Sequence, residues 1–184
     1  MKRYGIVVAM WLCGAGVCLA QQGPGGEMQL FYQRIQTFKM RSGGPIFADY
    51  DKATNGLGFG FVYNITEKFA MFQQTGFFSG VEDSGYKMRM ITEFQGVQLT
   101  KRTGAIDFYV KGGVGFARYV IENGVSYSVA FQYGVGTEIK IGRGLYLVVE
   151  ATRLSMGVPE LYYTEDRSKW CNTFLLTSGI AIRF

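Results

Sequence analysis

The sequence predicts an all-β protein built as one closed, antiparallel, eight-stranded barrel that crosses a membrane. The main observation is alternation. Along five segments, apolar residues alternate with polar or small ones at a period of two, the spacing of a strand with two unlike faces. The composition agrees with this. Glycine, at 26 of 184 residues, has about twice its usual share, and 15 Phe and 12 Tyr stand against only 3 Pro.

The first twenty residues have the pattern of a secretory signal peptide. Lys2 and Arg3 form a basic start, residues 6–17 are almost wholly apolar, and Cys18 and Ala20 put small residues at positions −3 and −1. We expect cleavage after Ala20, which leaves residues 21–184 as a single barrel domain. An uncleaved anchor is the alternative, but the apolar run is short for a helical span of ~20 residues.

Export changes the cysteine count and the charge. Cleavage leaves Cys171 as the one remaining cysteine, so no internal disulfide can form. Loss of Lys2 and Arg3 lowers the net charge from +5 to +3. That bias is too weak to indicate a nucleic-acid partner.

The alternating segments also predict which face points outward. They are residues 56–65, 106–120, 126–141, 145–152 and 174–184. Large apolar residues occupy one face, and the opposite face carries six ionisable residues: Asp107, Lys111, Glu138, Lys140, Glu150 and Arg183. A basic residue near the middle of a bilayer costs ~2–4 kcal/mol, whereas charges inside a barrel can pair. We therefore expect the apolar face outward and the six charges in a lumenal network.

Two further strands have mixed faces, and a third segment is ambiguous. For residues 88–100 we expect Arg89, Glu93 and Gln95 to face inward, and for residues 69–80 the register stays open. Residues 27–41 show apolar residues at helical spacing, so an amphipathic helix is an alternative there. A strand is preferred because barrel closure in bacterial outer-membrane proteins needs an even number.

The connections predict the orientation. Short joins at residues 66–68, 101–105 and 142–144 alternate with joins of which 42–55, 81–87 and 157–170 are longer. Outer-membrane barrels have short periplasmic turns and longer outer loops. Both termini are therefore expected on the periplasmic side.

The C-terminal residues carry a recognisable signature. Gly179 is followed by alternating apolar residues, Ile180 and Ile182, and by the terminal aromatic Phe184. This stretch resembles the terminal β-signal of outer-membrane proteins. The resemblance implies that the barrel assembly machinery is a partner during biogenesis.

The body of the chain resembles small eight-stranded barrels such as the outer membrane protein A transmembrane domain and outer membrane protein X. Residues 108–116 and 132–138 carry the likeness, which extends over roughly residues 55–184. It implies an integral outer-membrane barrel with a packed polar lumen. Such a barrel would contact outer-membrane lipid and lipopolysaccharide, and we expect it to be a monomer.

Residues from 108 onward also resemble lipid A deacylase barrels. That family carries a His-x-Ser-Asn motif, for which this chain has Arg153-Leu154-Ser155-Met156, and it has no histidine anywhere. A serine nucleophile needs a base near neutral pH. We therefore predict no catalytic residue, no cofactor and no metal.

The expected role is non-enzymatic, in envelope structure or surface interaction. A lipid A-modifying hydrolase, or its inactive descendant, is the alternative. A diffusion porin is disfavoured because eight strands leave room only for side chains.

Overall fold

A computed structural model describes residues 25–35, 54–83, 86–121, 124–157 and 170–184. The strands are β1 (Gly26–Ile35), β2 (Thr54–Asn64), β3 (Phe69–Asp83), β4 (Tyr86–Arg102), β5 (Ile106–Ile121), β6 (Gly124–Gly142), β7 (Leu145–Gly157) and β8 (Trp170–Arg183). The predicted signal peptide, residues 1–20, lies outside the described ranges. No helix within those ranges is long and apolar enough to cross a membrane.

Each strand pairs antiparallel with the next, and β8 pairs with β1 to close the barrel. This confirms the predicted eight-stranded antiparallel barrel. The first segment is a strand over its described part, and the helical alternative is wrong there. Closure runs from Glu27 opposite Arg183 to Ile35 opposite Leu175. Beyond it, the Gly26 and Phe184 amides each donate to the other residue's carbonyl oxygen at 3.0 Å.

Gly25, the first described residue, the C-terminal Phe184 and three tight connections share one end of the barrel, which we call the turn end. The connections are residues 65–68, 103–105 and 143–144. In the last of these, Gly144 has a φ of 70°, a left-handed conformation that favours glycine. The opposite end, the loop end, holds the other connections.

One connection at the loop end is shorter than expected. The join predicted over residues 81–87 is instead mostly strand, because β3 continues to Asp83 and β4 begins at Tyr86. Backbone pairing continues through Glu82 opposite Lys87 and Asp83 opposite Tyr86. Antiparallel strands joined by a two-residue connection keep their ladder to the last residue.

The two faces of the wall differ as alternation predicts. Outward residues such as Phe108 and Phe131 are exposed, while their neighbours Asp107 and Gln132 are buried. The lumen has two halves. Polar and charged side chains fill the half near the turn end. The half near the loop end is largely apolar and contains Ile35, Phe78, Met90, Phe94, Tyr119, Leu154, Met156 and Leu175. The expectation of a polar lumen is therefore correct only for the half near the turn end.

The expected facing of β4 is wrong. Met90, Thr92 and Phe94 are buried in the lumen, so Arg89, Glu93 and Gln95 point outward and are exposed. The apolar half of the lumen explains the reversal, since Met90 and Phe94 join its core cluster. With a side-chain period of two, placing those residues inside forces their neighbours outside.

Candidate functional site

A cluster of charges centred on Arg183 occupies the turn end of the lumen. The Arg183 Nε and Nη1 atoms lie 3.3 Å from Glu27 Oε2 and 3.2 Å from Asp107 Oδ2. Its Nη2 atom contacts Glu138 Oε2, and the guanidinium sits over the Tyr146 ring at 4.1 Å from the centroid. All three carboxylate side chains are buried. The Arg183 guanidinium therefore contacts acidic side chains from three other strands. Its ion pair with Glu27 connects the last strand to the first.

A second network lies further into the lumen, around Lys111. Its Nζ is 2.6 Å from Glu150 Oε1 and donates a 2.8 Å hydrogen bond to Gln74 Oε1. The Tyr109 hydroxyl donates to Glu150 Oε2 at 2.9 Å, and Gln132 Nε2 donates to Gln74 Oε1 at 3.2 Å. The Lys111 and Glu150 side chains are only 3% and 2% exposed. A buried pair needs such additional hydrogen bonds to offset the loss of hydration.

The structure brings five of the six predicted network residues into these two clusters. The exception is Lys140, which follows Glu138 on the same face but is exposed. It lies at the turn end, where β6 has a register shift between Lys140 and Gly142. The Lys140 ammonium group therefore lies outside the lumen and is exposed to solvent.

Several lumenal groups were missed in the sequence. Glu27 was missed because the first segment was open between a strand and a helix, although Glu27, Gln29 and Gln33 share one face at a period of two. Gln74 was missed because the register of its strand stayed open. Both contacts depend on pairing between strands distant in sequence, for which a single strand's alternation carries no signal.

Chemically, the lumen holds fixed, mutually paired charges. Arg183 forms ion pairs with Glu27, Asp107 and Glu138, and Lys111 forms an ion pair with Glu150. Within the described ranges, no group of three or more His, Cys, Asp or Glu side chains is arranged to hold a metal ion.

Ser155 lies away from both clusters. It is half-buried on the outward face of β7, opposite Phe131 of β6 and Asn172 of β8. Arg153 is exposed on the same face, next to Tyr133 and Phe174, while Leu154 and Met156 point into the lumenal core. None of these neighbours is a base that could take the serine proton.

Four arginines mark the outward face toward the loop end: Arg34, Arg89, Arg118 and Arg153 are all exposed. Arg118 and Tyr127 are cross-strand partners, with the guanidinium carbon 5.8 Å from the ring centroid. Arg89 lies one strand away, opposite Val120. Arginine presents a planar fork of donors that matches phosphate groups.

Solved structures of small outer-membrane barrels share this architecture. The N-terminal barrel domain of Pseudomonas aeruginosa OprF matches with a TM-score of 0.60 at 11% identity, covering 88% of this chain and 98% of that one. Neisserial surface protein A matches with a TM-score of 0.61 at 8% identity, covering 87% and 96%. The fold is that of small outer-membrane barrels.

A third match is Ail, the attachment invasion locus protein of Yersinia pestis, solved with the heparin analogue sucrose octasulfate. Its TM-score is 0.57 at 12% identity, covering 87% of this chain and 99% of that one. No protein-family model matches the chain, and neither does any curated protein sequence. At these identities the likeness shows the fold, and a function has to be argued from the residues of this chain.

Proposed function

We propose that this chain is an integral outer-membrane barrel with a non-enzymatic role in envelope structure or surface interaction. The observation that carries the proposal is the contrast between its two faces. The outward face exposes large apolar residues on every strand for which side chains are described, while the charges within the lumen are paired with one another. That arrangement suits hydrocarbon outside, because lipid penalises unpaired charge and rewards closure of the backbone ladder.

Lipopolysaccharide is the partner that the outward arginines favour. With the short turns on the periplasmic side, the loop end faces the outer leaflet. Arg34, Arg89, Arg118 and Arg153 then lie toward the leaflet that carries anionic phosphate groups. Arg89 and Arg118 sit on adjacent strands, so one phosphate can accept hydrogen bonds from both.

Photo-crosslinking in cells tests location, orientation and lipid contact together. A photoreactive phenylalanine at Tyr127 sits beside Arg118 toward the loop end, and one at Phe108 sits beside Lys101 near the turn end. We expect lipopolysaccharide adducts from position 127 and phospholipid adducts from position 108. Adding Arg118→Gln should lower the yield of lipopolysaccharide adducts from position 127 without changing the yield of phospholipid adducts from position 108. If only position 108 gave lipopolysaccharide adducts, the barrel would be oriented opposite to the proposal. If neither position gave a lipid adduct, membrane insertion would be contradicted.

The hydrolase alternative has a separate test. Lipid A mass profiles from cells with and without the protein should be identical, because Ser155 has no base beside it. A loss of acyl chains that depends on the protein and disappears in Ser155→Ala would overturn the non-enzymatic proposal.

The barrel assembly machinery is the proposed partner in biogenesis. Phe184 is 64% exposed on the outward face, after a strand whose outward residues Ile180 and Ile182 are also exposed. The terminal strand therefore presents an apolar outward face that the assembly machinery can bind before the barrel closes on β1.

A further inference from the structure

A small polar cluster interrupts the apolar outer face on β3 and β4. Gln73 lies opposite Gln95, and Thr75 lies opposite Glu93, in two successive outward rows of the ladder. Glu93 and Gln95 are exposed, and Gln73 and Thr75 are half-buried. We call these four residues the outer polar cluster.

The cluster lies at mid-height of the apolar band. On β4 the outward residues between Arg89 and Lys101 are Ile91, Glu93, Gln95, Val97 and Leu99. Twelve residues of strand at about 3.3 Å each, tilted by roughly 45°, span about 28 Å of height, close to the ~25 Å apolar band of such barrels. Gln95 is at the centre of this interval and Glu93 is one outward position above it.

The neighbouring strands keep the apolar pattern at this level. Phe59 and Phe61 of β2 lie beside Thr75 and Gln73, and Phe116 and Val114 of β5 lie beside Glu93 and Gln95. The cluster is therefore a polar island with apolar residues on both sides. Its placement is fixed, since shifting β4 by one residue would turn Met90 and Phe94 out of the lumenal core.

Nothing in the described part of the chain satisfies these side chains. None of the hydrogen bonds or ion pairs among the described residues engages Gln73, Glu93 or Gln95. A carboxylate and two carboxamides facing hydrocarbon would lack partners, which lipid chains cannot provide. Ionisable groups at this depth in a membrane protein mark a contact with something polar.

We propose that the outer polar cluster is the contact surface between two copies of this chain in the membrane. The cluster is self-complementary, since the Thr75 hydroxyl and the two carboxamides donate hydrogen bonds, and Glu93 and the carboxamide oxygens accept them. Copies inserted in the same direction are related by an axis along the membrane normal, which keeps each residue at its own depth. A two-fold axis between β3 and β4 then sets Glu93 of one copy against Thr75 of the other, and Gln95 of one copy against Gln73 of the other, an isologous contact.

This inference rests on the proposed membrane location. It replaces the expectation of a monomer, which was made without knowledge that Glu93 and Gln95 face outward. Lipid headgroups are a poor occupant because they lie near the level of Arg89, above the cluster. The cluster also contains no cation, so a partner has to donate hydrogen bonds to Glu93, and a second copy brings the Thr75 hydroxyl at the same depth and two carboxamides in the next row.

Cysteine crosslinking in native outer membranes tests the proposal directly. Gln95→Cys is placed in a Cys171→Ser background, with Val135→Cys, outward on β6 two strands away from β4, as the matched control. We expect oxidation to give a disulfide-linked homodimer at position 95 at least about tenfold more efficiently than at position 135, because only the first lies at the contact. Equal yields at the two positions would overturn the proposal.

The polar side chains are tested by the variant Gln73→Leu/Glu93→Leu/Gln95→Leu. Energy transfer between labelled full-length barrels in bilayers should report dimers for the wild type and an about tenfold weaker association for this variant. Unchanged association would overturn the proposal, and so would a crosslink from position 95 to a protein of a different mass. Outer-membrane fractionation of the wild type is scored separately. A barrel that inserts but does not crosslink refutes the dimer alone, and one that never inserts refutes the proposed function.

Discussion

Replacing Lys111 with Met measures the strength of the lumenal ion pairs. Met has nearly the length of Lys but no charge, so Glu150 would keep only its hydrogen bond from Tyr109. Both side chains of the pair are at most 3% exposed. Removing one partner of a buried pair costs about 3–5 kcal/mol, because the other charge is left without compensation. With a urea slope of roughly 2 kcal/mol/M, the unfolding midpoint should fall by about 2 M.

Two controls make that result specific. Lys101→Met removes an exposed lysine near the turn end and should change the free energy of unfolding by less than about 0.5 kcal/mol. The double variant Lys111→Met/Glu150→Met removes both charges and should recover most of the lost stability, since apolar replacement of a whole buried pair is often neutral. Circular dichroism in detergent during urea titration supplies the midpoints. Equal, small effects of Lys111→Met and Lys101→Met would refute a dry, paired lumen.

Four further outcomes follow from particular residues. Gly134→Val should destabilise the barrel by about 3 kcal/mol or more, because a Cβ there would lie 2.5 Å from Thr152 Cα. Gly112→Val, whose nearest neighbour would be 3.9 Å away, is the tolerated control in the same thermal assay. Deleting Phe184 should reduce the heat-modifiable protein in outer-membrane fractions several-fold, and unchanged amounts would count against the assembly signal. Glu138→Gln should leave the unfolding midpoint unchanged or raise it, because three carboxylates share Arg183; a loss above about 2 kcal/mol would contradict this. In planar bilayers the purified protein should show no large, steady conductance, whereas sustained pore currents would mean that the lumen is open.

Strands with one clearly apolar face were readable from the sequence. On β5, for example, Phe108 and Val110 alternate with Asp107 and Lys111, and this pattern fixes strand, facing and lumenal charge at once. The signal is strong because lipid and lumen make opposite demands on neighbouring residues. The alternation within one such strand is therefore enough to predict which of its faces points outward.

β4 could not be read in this way. Its lumenal residues Met90 and Phe94 pack in an apolar part of the lumen, and its outward residues include Glu93 and Gln95. A rule that sends charge inward assigns this strand backwards. The information that corrects it is the pairing with β3 and β5, which fixes the register from outside the strand.

The networks themselves depend on such long-range pairing. Arg183 meets Glu27 because the last strand lies beside the first, and it meets Asp107 across the lumen. Alternation predicts that these side chains point inward, but their heights follow from the stagger of all eight strands. Which acid pairs with which base was therefore beyond the sequence, while their common location in the lumen was not.

The central claim is that one face of each strand meets lipid while the other fills a closed lumen. Nitroxide labels placed singly at residues 129–133 of β6, in bilayers, test it most directly. The outward positions Val129, Phe131 and Tyr133 should show high collision rates with oxygen, and the lumenal positions Ala130 and Gln132 should be immobile and protected. An alternation of opposite phase, or high accessibility to a water-soluble relaxant at position 132, would contradict the account.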